Sequence, residues 1–390
     1  MKTAVYAICK DEEQFVRRWL DSMGEADVIC LLDTGSTDGT LEAAQAWAGE
    51  HPGRTLMLKR TAYEHWQTVE EYDAIKARGG RPWRFDTARN ESLDMVPAWA
   101  DICVCTDLDE VFLPGWREKL EKAWGPEVTT ARYEYVWNFR PDGTDGVKFY
   151  GEKIHRNGVC RWAGPVHEVP AYSCPRRDVT VNIRLEHHAD DTKSRGSYLP
   201  MLELAVREDR SNDRNVHYLG REYVFRGMYG KAVETLKRHL ALPSATWPEE
   251  RAASMRYIAR SLEAKGDPDG AELWLRRAAD EAPDRREPLT ELARLCLARN
   301  DWHGTVRWCE RALSVTGRPM TYMADPYAWN EGPWDLMSVA RWYLGEREYA
   351  RNCASQAAVL APGDERIRRN LEQMEATNYK NRLETETDQP

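Results

Sequence analysis

Asp107-Leu108-Asp109 follows the most apolar strand-like run of the chain, Ile102 to Thr106, and a third acid, Asp33, follows another such run, Val28 to Leu32. Two carboxylates flanking one apolar residue can hold a divalent cation. In a strand, alternation sends both acids to one face and Leu108 into the sheet, and oxygen donors suit Mg²⁺ or Mn²⁺. A cation held there would neutralise the charge that grows on a departing diphosphate and so lower the barrier to its release. An acidic loop can also simply cap the helix that follows it. Asp33, placed to reach the same crevice, shifts the balance toward the cation.

The elements that must position these acids can be read from hydrophobic periodicity. Residues 3 to 9 form an apolar run ending in Lys10-Asp11-Glu12-Glu13, after which Phe15, Val16, Trp19 and Leu20 recur at helical spacing. Val28 to Leu32 leads into the turn Asp33 to Thr40 and then a helix carrying Leu41, Ala44 and Trp47. Thr55 to Lys59 predicts a third strand and Phe85 to Val96 a helix before Ile102 to Thr106. Strands alternating with helices imply a parallel sheet with right-handed crossovers, and ligands of such sheets sit beyond the carboxyl ends of the strands. Three acidic loops should therefore converge on one crevice. Ala131 to Phe139, Val147 to Ile154 and Val179 to Leu185 alternate as short antiparallel strands, with Arg161 to Glu168 a loop between them.

Beyond about Asp190 the pattern is helix after helix. A template of small residue, aromatic or apolar residue, turn, aromatic and small residue starts at Gly220, Ala259, Ala293 and Ala340, with successive offsets of 39, 34 and 47 residues. In the last copy it places the turn at Arg347 and the closing small position at Asn352. A period of 34 is that of the TPR helix-turn-helix. Gly317 to Pro333 reads as an insertion, and the polar stretch after Tyr379 as a fraying tail. The organisation predicted is an α/β domain over residues 1–205, an all-α TPR-like solenoid over 206–378 and a flexible tail over 379–390.

The first loop, the full Asp33-Thr34-Gly35-Ser36-Thr37-Asp38-Gly39-Thr40 turn and Asp107-Leu108-Asp109 together resemble the family 2 glycosyltransferases of the GT-A fold. With the Trp162 to Glu168 loop and the repeat half, the chain is similar to the branch that includes bacteriocin S-glycosyltransferases. The resemblance implies a Rossmann-like nucleotide-diphospho-sugar transferase domain that uses Mn²⁺ or Mg²⁺ and a nucleoside-diphosphate sugar, foremost a UDP-sugar. It implies that Asp33 accepts from the base or ribose, with Asp11 and Glu12 alongside the nucleotide and Asp107 and Asp109 at the cation. Asp86 and Arg89, in the segment Phe85 to Asn90, would meet the base and the diphosphate, although an Asp at a helix start also caps and Arg89 also suits a surface ion pair. A closing histidine ligand would be His187, with His167 the other candidate. His167-Glu168 would then face the acceptor, Glu168 serving as the general base of an inverting transfer, with Asp190 and Asp191 next in line. Trp162 could stack on a sugar or pack in the core, and Asp38 reads as structural rather than as a ligand.

The 390 residues suggest two domains, and the composition, 42% hydrophobic and 31% charged, is that of a folded chain. No apolar run approaches the roughly 20 residues that span a bilayer, and Met1 leads into Ala4 to Cys9 without a basic leader, so a cytoplasmic location is expected. Nine cysteines without metal-ligand spacing suggest reduced thiols. A net charge of -9 disfavours nucleic acid as a partner without excluding it. A protein or peptide acceptor held in the repeat groove is the leading expectation, and a homodimer is compatible. Modified phage DNA bases, a small metabolite, or a scaffold with a degenerate transferase domain are the alternatives.

Overall fold

The structure, a computed structural model, describes residues 1–190 and 198–387, with side chains as far as residue 376. It divides into two compact units, Met1–Asn138 with Lys148–Asp209, and Phe139–Val147 with Arg210–Pro390. The stretch 139–147, read from sequence as part of the first domain, thus belongs with the second unit.

In the first unit the chain runs β1 (Thr3–Cys9), α1 (Glu13–Met23), β2 (Val28–Asp33), α2 (Thr40–Glu50), β3 (Leu56–Arg60), α3 (Val69–Ala77), α4 (Phe85–Leu93) and β4 (Ile102–Cys105). It continues through β5 (Glu110–Phe112), α5 (Trp116–Ala123), β6 (Thr130–Val136), β7 (Lys148–Arg156), β8 (Cys160–Ala163), β9 (Val169–Tyr172), β10 (Asp178–His187) and α6 (Tyr198–Glu208). Eight strands form one sheet in the order β3-β2-β1-β4-β7-β6-β10-β5, parallel from β3 to β4. From β1 the chain moves outward to β2 and β3, then returns on the other side as β4. That reversal is a topological switch point, and open sheets of this kind take their ligands beyond the carboxyl ends of the strands on either side of it, here β1 and β4.

Alternation along β1 explains why both faces are covered. Val5, Ala7 and Cys9 pack with Phe15, Val16, Trp19 and Leu20 of α1, while Ala4 and Tyr6 pack with Leu93, Cys103, Cys105 and Trp162 on the other face. Cys103 and Cys105 are therefore core thiols, and none of the nine cysteines is in a disulfide.

Several expectations change. β6 and β10 are parallel, because the chain crosses from one to the other through β7, β8 and β9 rather than through a hairpin. Residues 160–163 form β8, paired antiparallel with β9, so that only 164–168 remain a loop. The short helices α3 and α5 and the three-residue β5 were not predicted. Strand β4 ends at Cys105, and Asp107-Leu108-Asp109 forms a turn into β5 instead of extending the strand.

The second unit contains α7 (Asp213–Phe225), α8 (Tyr229–Ala241), α9 (Pro248–Ala264), α10 (Pro268–Glu281), α11 (Glu287–Ala298), α12 (Trp302–Ser314), α13 (Pro326–Trp329), α14 (Gly332–Tyr343), α15 (Arg347–Leu360) and α16 (Glu365–Thr387). Consecutive pairs α7/α8, α9/α10, α11/α12 and α14/α15 pack as helical hairpins. The first helix of each ends at a left-handed residue, Gly227, Gly266, Asn300 or Gly345, the types that tolerate that conformation. Asp267 and Asp301 then cap the second helix by accepting from Gly270 and Gly304 backbone N–H groups. In the last hairpin the left-handed turn is Gly345 and the buried small residue Ala350, each two positions before the Arg347 and Asn352 of the sequence template. Helix α16 continues to Thr387 across the segment read as a tail. Among the described residues no helix is long and apolar enough to cross a membrane.

Candidate functional site

The loops after β1 and β2 are knitted together. Ser36 Oγ accepts from the Asp11 N–H at 2.9 Å, Asp11 Oδ1 accepts from the Thr37 N–H at 2.7 Å, and Thr40 Oγ1 accepts from the Glu12 N–H at 2.7 Å. Burial works against the charge of Asp38, but the Thr40 hydroxyl and then the Glu13 and Thr40 backbone N–H groups donate to it and hold its carboxyl below the usual range. A Cβ on Gly39 would lie 2.5 Å from a Glu13 carboxylate oxygen, so a larger residue there would displace the Glu13 side chain from the Gly39 N–H. Asp11 and Asp38 thus serve the loops themselves. Together with Glu13 and Gln14 they also line a cavity of about 380 Å³. That cavity lies beside α1 rather than at Asp109, and it does not by itself mark the chemistry.

Asp33 ends β2 level with Cys9 of β1 and is fully buried. Its Oδ1 accepts from the Ser36 N–H at 2.9 Å. Its Oδ2 is ion-paired with Arg60 Nε at 3.1 Å but outside hydrogen-bond geometry, so this buried oxygen has a charge partner and no hydrogen-bond donor. Asp33 and Asp107 share one sheet edge but flank β1, so they sit roughly two strand spacings, about 10 Å, apart.

Helix α4 carries Asp86 and Arg89. Asp86 accepts from Arg84, from the Thr87 N–H at 2.7 Å and from the Gly164 N–H at 3.0 Å, which pins the 164–168 loop to the helix start. Its oxygens have protein partners where the resemblance assigned them a base. Arg89 is buried. It donates from Nε to Glu168 at 2.9 Å, from Nη1 to the Thr106 carbonyl at 3.3 Å, and from Nη2 to Asp107. Lys153 of β7 donates to the other Asp107 oxygen at 2.8 Å and to Glu110 at 3.0 Å. Burial would raise the Asp107 pKa, but Arg89 and Lys153 outweigh it and hold the carboxyl well below its usual range. Burial likewise opposes the charge of Lys153, and Asp107 and Glu110 reverse that, raising its pKa. The Glu110 carboxyl is pushed up, chiefly by burial. Predicted as a cation ligand, Asp107 instead has both oxygens on cationic side chains.

Asp109 differs from Asp107. Its Oδ2 lies 3.2 Å from His187 Nε2, and its Oδ1 is buried with no hydrogen-bond partner. His187 Nδ1 is held by the Trp137 carbonyl at 2.8 Å, and its ring stacks on the Trp137 indole at 4.5 Å. Fixing one ring nitrogen on a carbonyl sets the direction of the other, as for metal-ligating histidines. Burial works against a charged His187, yet the hydrogen bond and charge of Asp109 outweigh it and raise its pKa.

The remaining candidates are placed as follows. His167 has a left-handed backbone, φ 50°, and its ring lies 5.7 Å from that of Tyr198 rather than at the Asp109 site. Trp162 is buried beneath Arg89 and donates to the Tyr6 hydroxyl at 2.8 Å, which makes it a core residue and not a sugar platform. Asp190 accepts from Gln14 at 2.9 Å, and Asp191 lies outside the described residues. Sequence reasoning missed Arg60, Lys153 and Glu110. Only the buried register of β7 against β4 and β6 gives Lys153 its role, and no local spacing signals that.

No protein-family model and no curated protein matches this sequence. The chain is similar to solved TPR structures. Yeast Tom70 is 16% identical with a TM-score of 0.39, over 48% of this chain and 37% of Tom70. YrrB, titled a TPR protein with an unusual peptide-binding site, is 16% identical with a TM-score of 0.34, over 45% of this chain and 81% of YrrB. A putative kinesin light chain of Podosopora anserina with TPR-like repeats is 20% identical with a TM-score of 0.35, over 45% of this chain and 91% of that one. What these neighbours share is the helix-turn-helix repeat, which in this chain rests on the four hairpins described above.

Proposed function

We propose that the α/β unit is a GT-A-type glycosyltransferase that binds a nucleoside-diphosphate sugar with Mn²⁺ or Mg²⁺ in the crevice beyond β1 and β4. The observation that carries this reading is Asp109, with one buried oxygen unpartnered and the other facing an oriented histidine. An oxygen and an imidazole nitrogen directed at one point fit a cation ligand pair, so Asp109 and His187 would hold the metal, and His167 would not. Bound there, the cation would supply neutralisation of the departing diphosphate.

The chain's own residues perform the rest. Asp33, with its buried Oδ2 ion-paired with Arg60 and without a hydrogen-bond donor, offers an acceptor and a donor side by side to a nucleotide base. Arg89 and Lys153 hold Asp107 ionised and rigid at the sheet edge, and because their charges are matched by Asp107, Glu110 and Glu168, neutralisation of a diphosphate there would fall to the cation. Glu168 is placed by Arg89 Nε, which keeps one carboxylate oxygen fixed and anchors the residue best suited to take the acceptor's proton. The acceptor would be a protein or peptide recruited by the helical unit, whose cavity of about 230 Å³ is lined by Arg260, Thr290, Glu291, Arg294 and Tyr327.

A thermal-shift series with UDP-, GDP- and dTDP-sugars, each with and without Mn²⁺, tests the reading. Stabilisation by one nucleotide sugar that requires the metal is the expected result. Identical melting with all of them would sink it.

A further inference from the structure

The second unit holds a polar cluster unrelated to the crevice. Asp213 opens α7, His239 lies in the last turn of α8 and Glu250 in the first turn of α9. One carboxylate oxygen of each acid and one ring nitrogen of His239 lie within 4.8 Å of one another. His239 and Glu250 are buried, and Asp213 reaches partly to solvent.

Among the described residues Glu250 pairs only with His239, 3.2 Å from Nε2 to Oε1, and Asp213 makes no ion pair. The neighbouring guanidinium of Arg214 sits over the Tyr218 ring, beyond ion-pair distance of either acid, and its charge also acts on Glu250. Two carboxylates drawn together in a largely buried corner repel one another unless a cation lies between them.

A second observation concerns the imidazole itself. Ser254 Oγ lies 2.7 Å from Nδ1 of His217 and 2.9 Å from Nδ1 of His239. One hydroxyl carries a single proton, so one ring accepts from Ser254 and the other donates to it. His217 is fully buried and its Nε2 has no partner. Burial, then the charges of Arg221, His239 and Arg214, push its pKa well down and keep it neutral. Whichever ring donates, Nδ1 of His239 is taken by Ser254, which leaves Nε2 as the atom that faces Glu250, 3.2 Å from its Oε1. The serine thus orients this imidazole from behind, as second-sphere groups do for metal-bound histidines.

We propose that Asp213, His239 and Glu250 bind a divalent cation of the zinc class, with water completing its coordination, and that this cation ties α7, α8 and α9 together. One imidazole nitrogen with two carboxylate oxygens suits Zn²⁺ better than Mg²⁺ or Ca²⁺, which take oxygen alone. The inference does not depend on the transferase reading.

The full-length Asp109→Ala chain, which lacks the cation ligand of the crevice, is stripped of metal and titrated with Zn²⁺ alone, and bound zinc and melting temperature are recorded. One zinc per chain and a rise in melting temperature are expected. Adding Asp213→Asn, at a partly exposed helix start where folding tolerates the change, should lower the affinity at least ~10-fold. Adding Ser254→Ala should weaken it by roughly 10- to 100-fold through the loss of orientation. Adding His239→Gln should abolish binding, and should that chain fail to fold, the Asp213→Asn chain decides. Zinc bound equally by the Asp109→Ala chain and by the folded chain that also carries Asp213→Asn would be adventitious and would overturn the proposal. So would the absence of any zinc uptake by Asp109→Ala alone.

Discussion

In the α/β unit Arg89, Asp107, Glu110, Lys153 and Glu168 are joined contact to contact at a single sheet edge. In the helical unit ion pairs recur along the chain at intervals of 30 or 31 residues: Arg251 with Glu281, Arg260 with Glu291, Arg294 with Glu263, Arg299 with Asp269, Arg341 with Glu310 and Arg366 with Asp335. The second arrangement follows the repeat, and each pair stitches one seam. The first has no period, and each member depends on the others for its charge balance. Charge placed by period describes architecture, whereas charge concentrated out of period marks the place where chemistry is to be sought.

The largest effect that could break this comparison lies at Asp109. Asp109→Ala removes the acid with the unpartnered oxygen and no core packing, so turnover should fall by roughly 10³-fold, about 4 kcal/mol of lost charge stabilisation. Hydrogen exchange across α7 to α15 should not change. Full turnover in this variant would reduce the sheet-edge cluster to a structural network.

Next in size is Lys153→Met, which leaves Asp107 and the buried Glu110 without their shared cation. Removing one partner of a buried charged group costs about 3–5 kcal/mol. Peptide-level hydrogen exchange should speed up in β4, β6 and β7 while the hairpins of the second unit keep their protection. Equal acceleration in both units would mean that their stabilities are not separate.

Much of the framework was legible in sequence because it is local. Apolar runs followed by helical spacing marked β1/α1 and β2/α2, and the small residues at Gly220, Ala259 and Ala293 marked three hairpins. What escaped was decided by distant pairing. Lys153 reads as one more charged residue of an alternating strand until β7 is inserted between β4 and β6. The parallel pairing of β6 with β10 depends on a long crossover with no motif of its own. Asp107-Leu108-Asp109 was recognised, but the early end of β4 turned it into a bend and gave its two acids different partners. In the last hairpin the preceding insertion hid the frame, and the turn at Gly345 was read two residues late.

A smaller effect in the α/β unit depends on pH. Trp162 donates to the Tyr6 hydroxyl, Tyr6 shares a 2.8 Å hydrogen bond with His155 Nε2, and His155 Nδ1 lies 2.8 Å from the Arg156 carbonyl. This chain requires a neutral ring, and burial pushes the His155 pKa down to about 4. The unfolded chain takes up that proton near pH ~6.5. The stabilisation is therefore complete above about pH 6.5 and is lost as the pH falls toward 4, a loss on the order of 3 kcal/mol. His155→Gln should flatten this acid limb for strands β1, β4 and β7. An unchanged limb would assign the acid sensitivity to carboxylates instead.

The smallest change tests the other side of the comparison. Arg294 and Glu263 form a pair whose side chains are 42% and 31% exposed, so solvent screens it. Arg294→Met keeps the apolar stem and removes the charge, and an exposed pair of this kind contributes about 0.2–1 kcal/mol. Chemical denaturation of the helical unit should therefore shift by less than about 1 kcal/mol, and doubling the change with Arg341→Met, at a different seam, should simply add. A pair of substitutions that costs well more than the sum would show that the periodic ion pairs act as one network, and the contrast with the sheet-edge cluster would then be one of spacing alone.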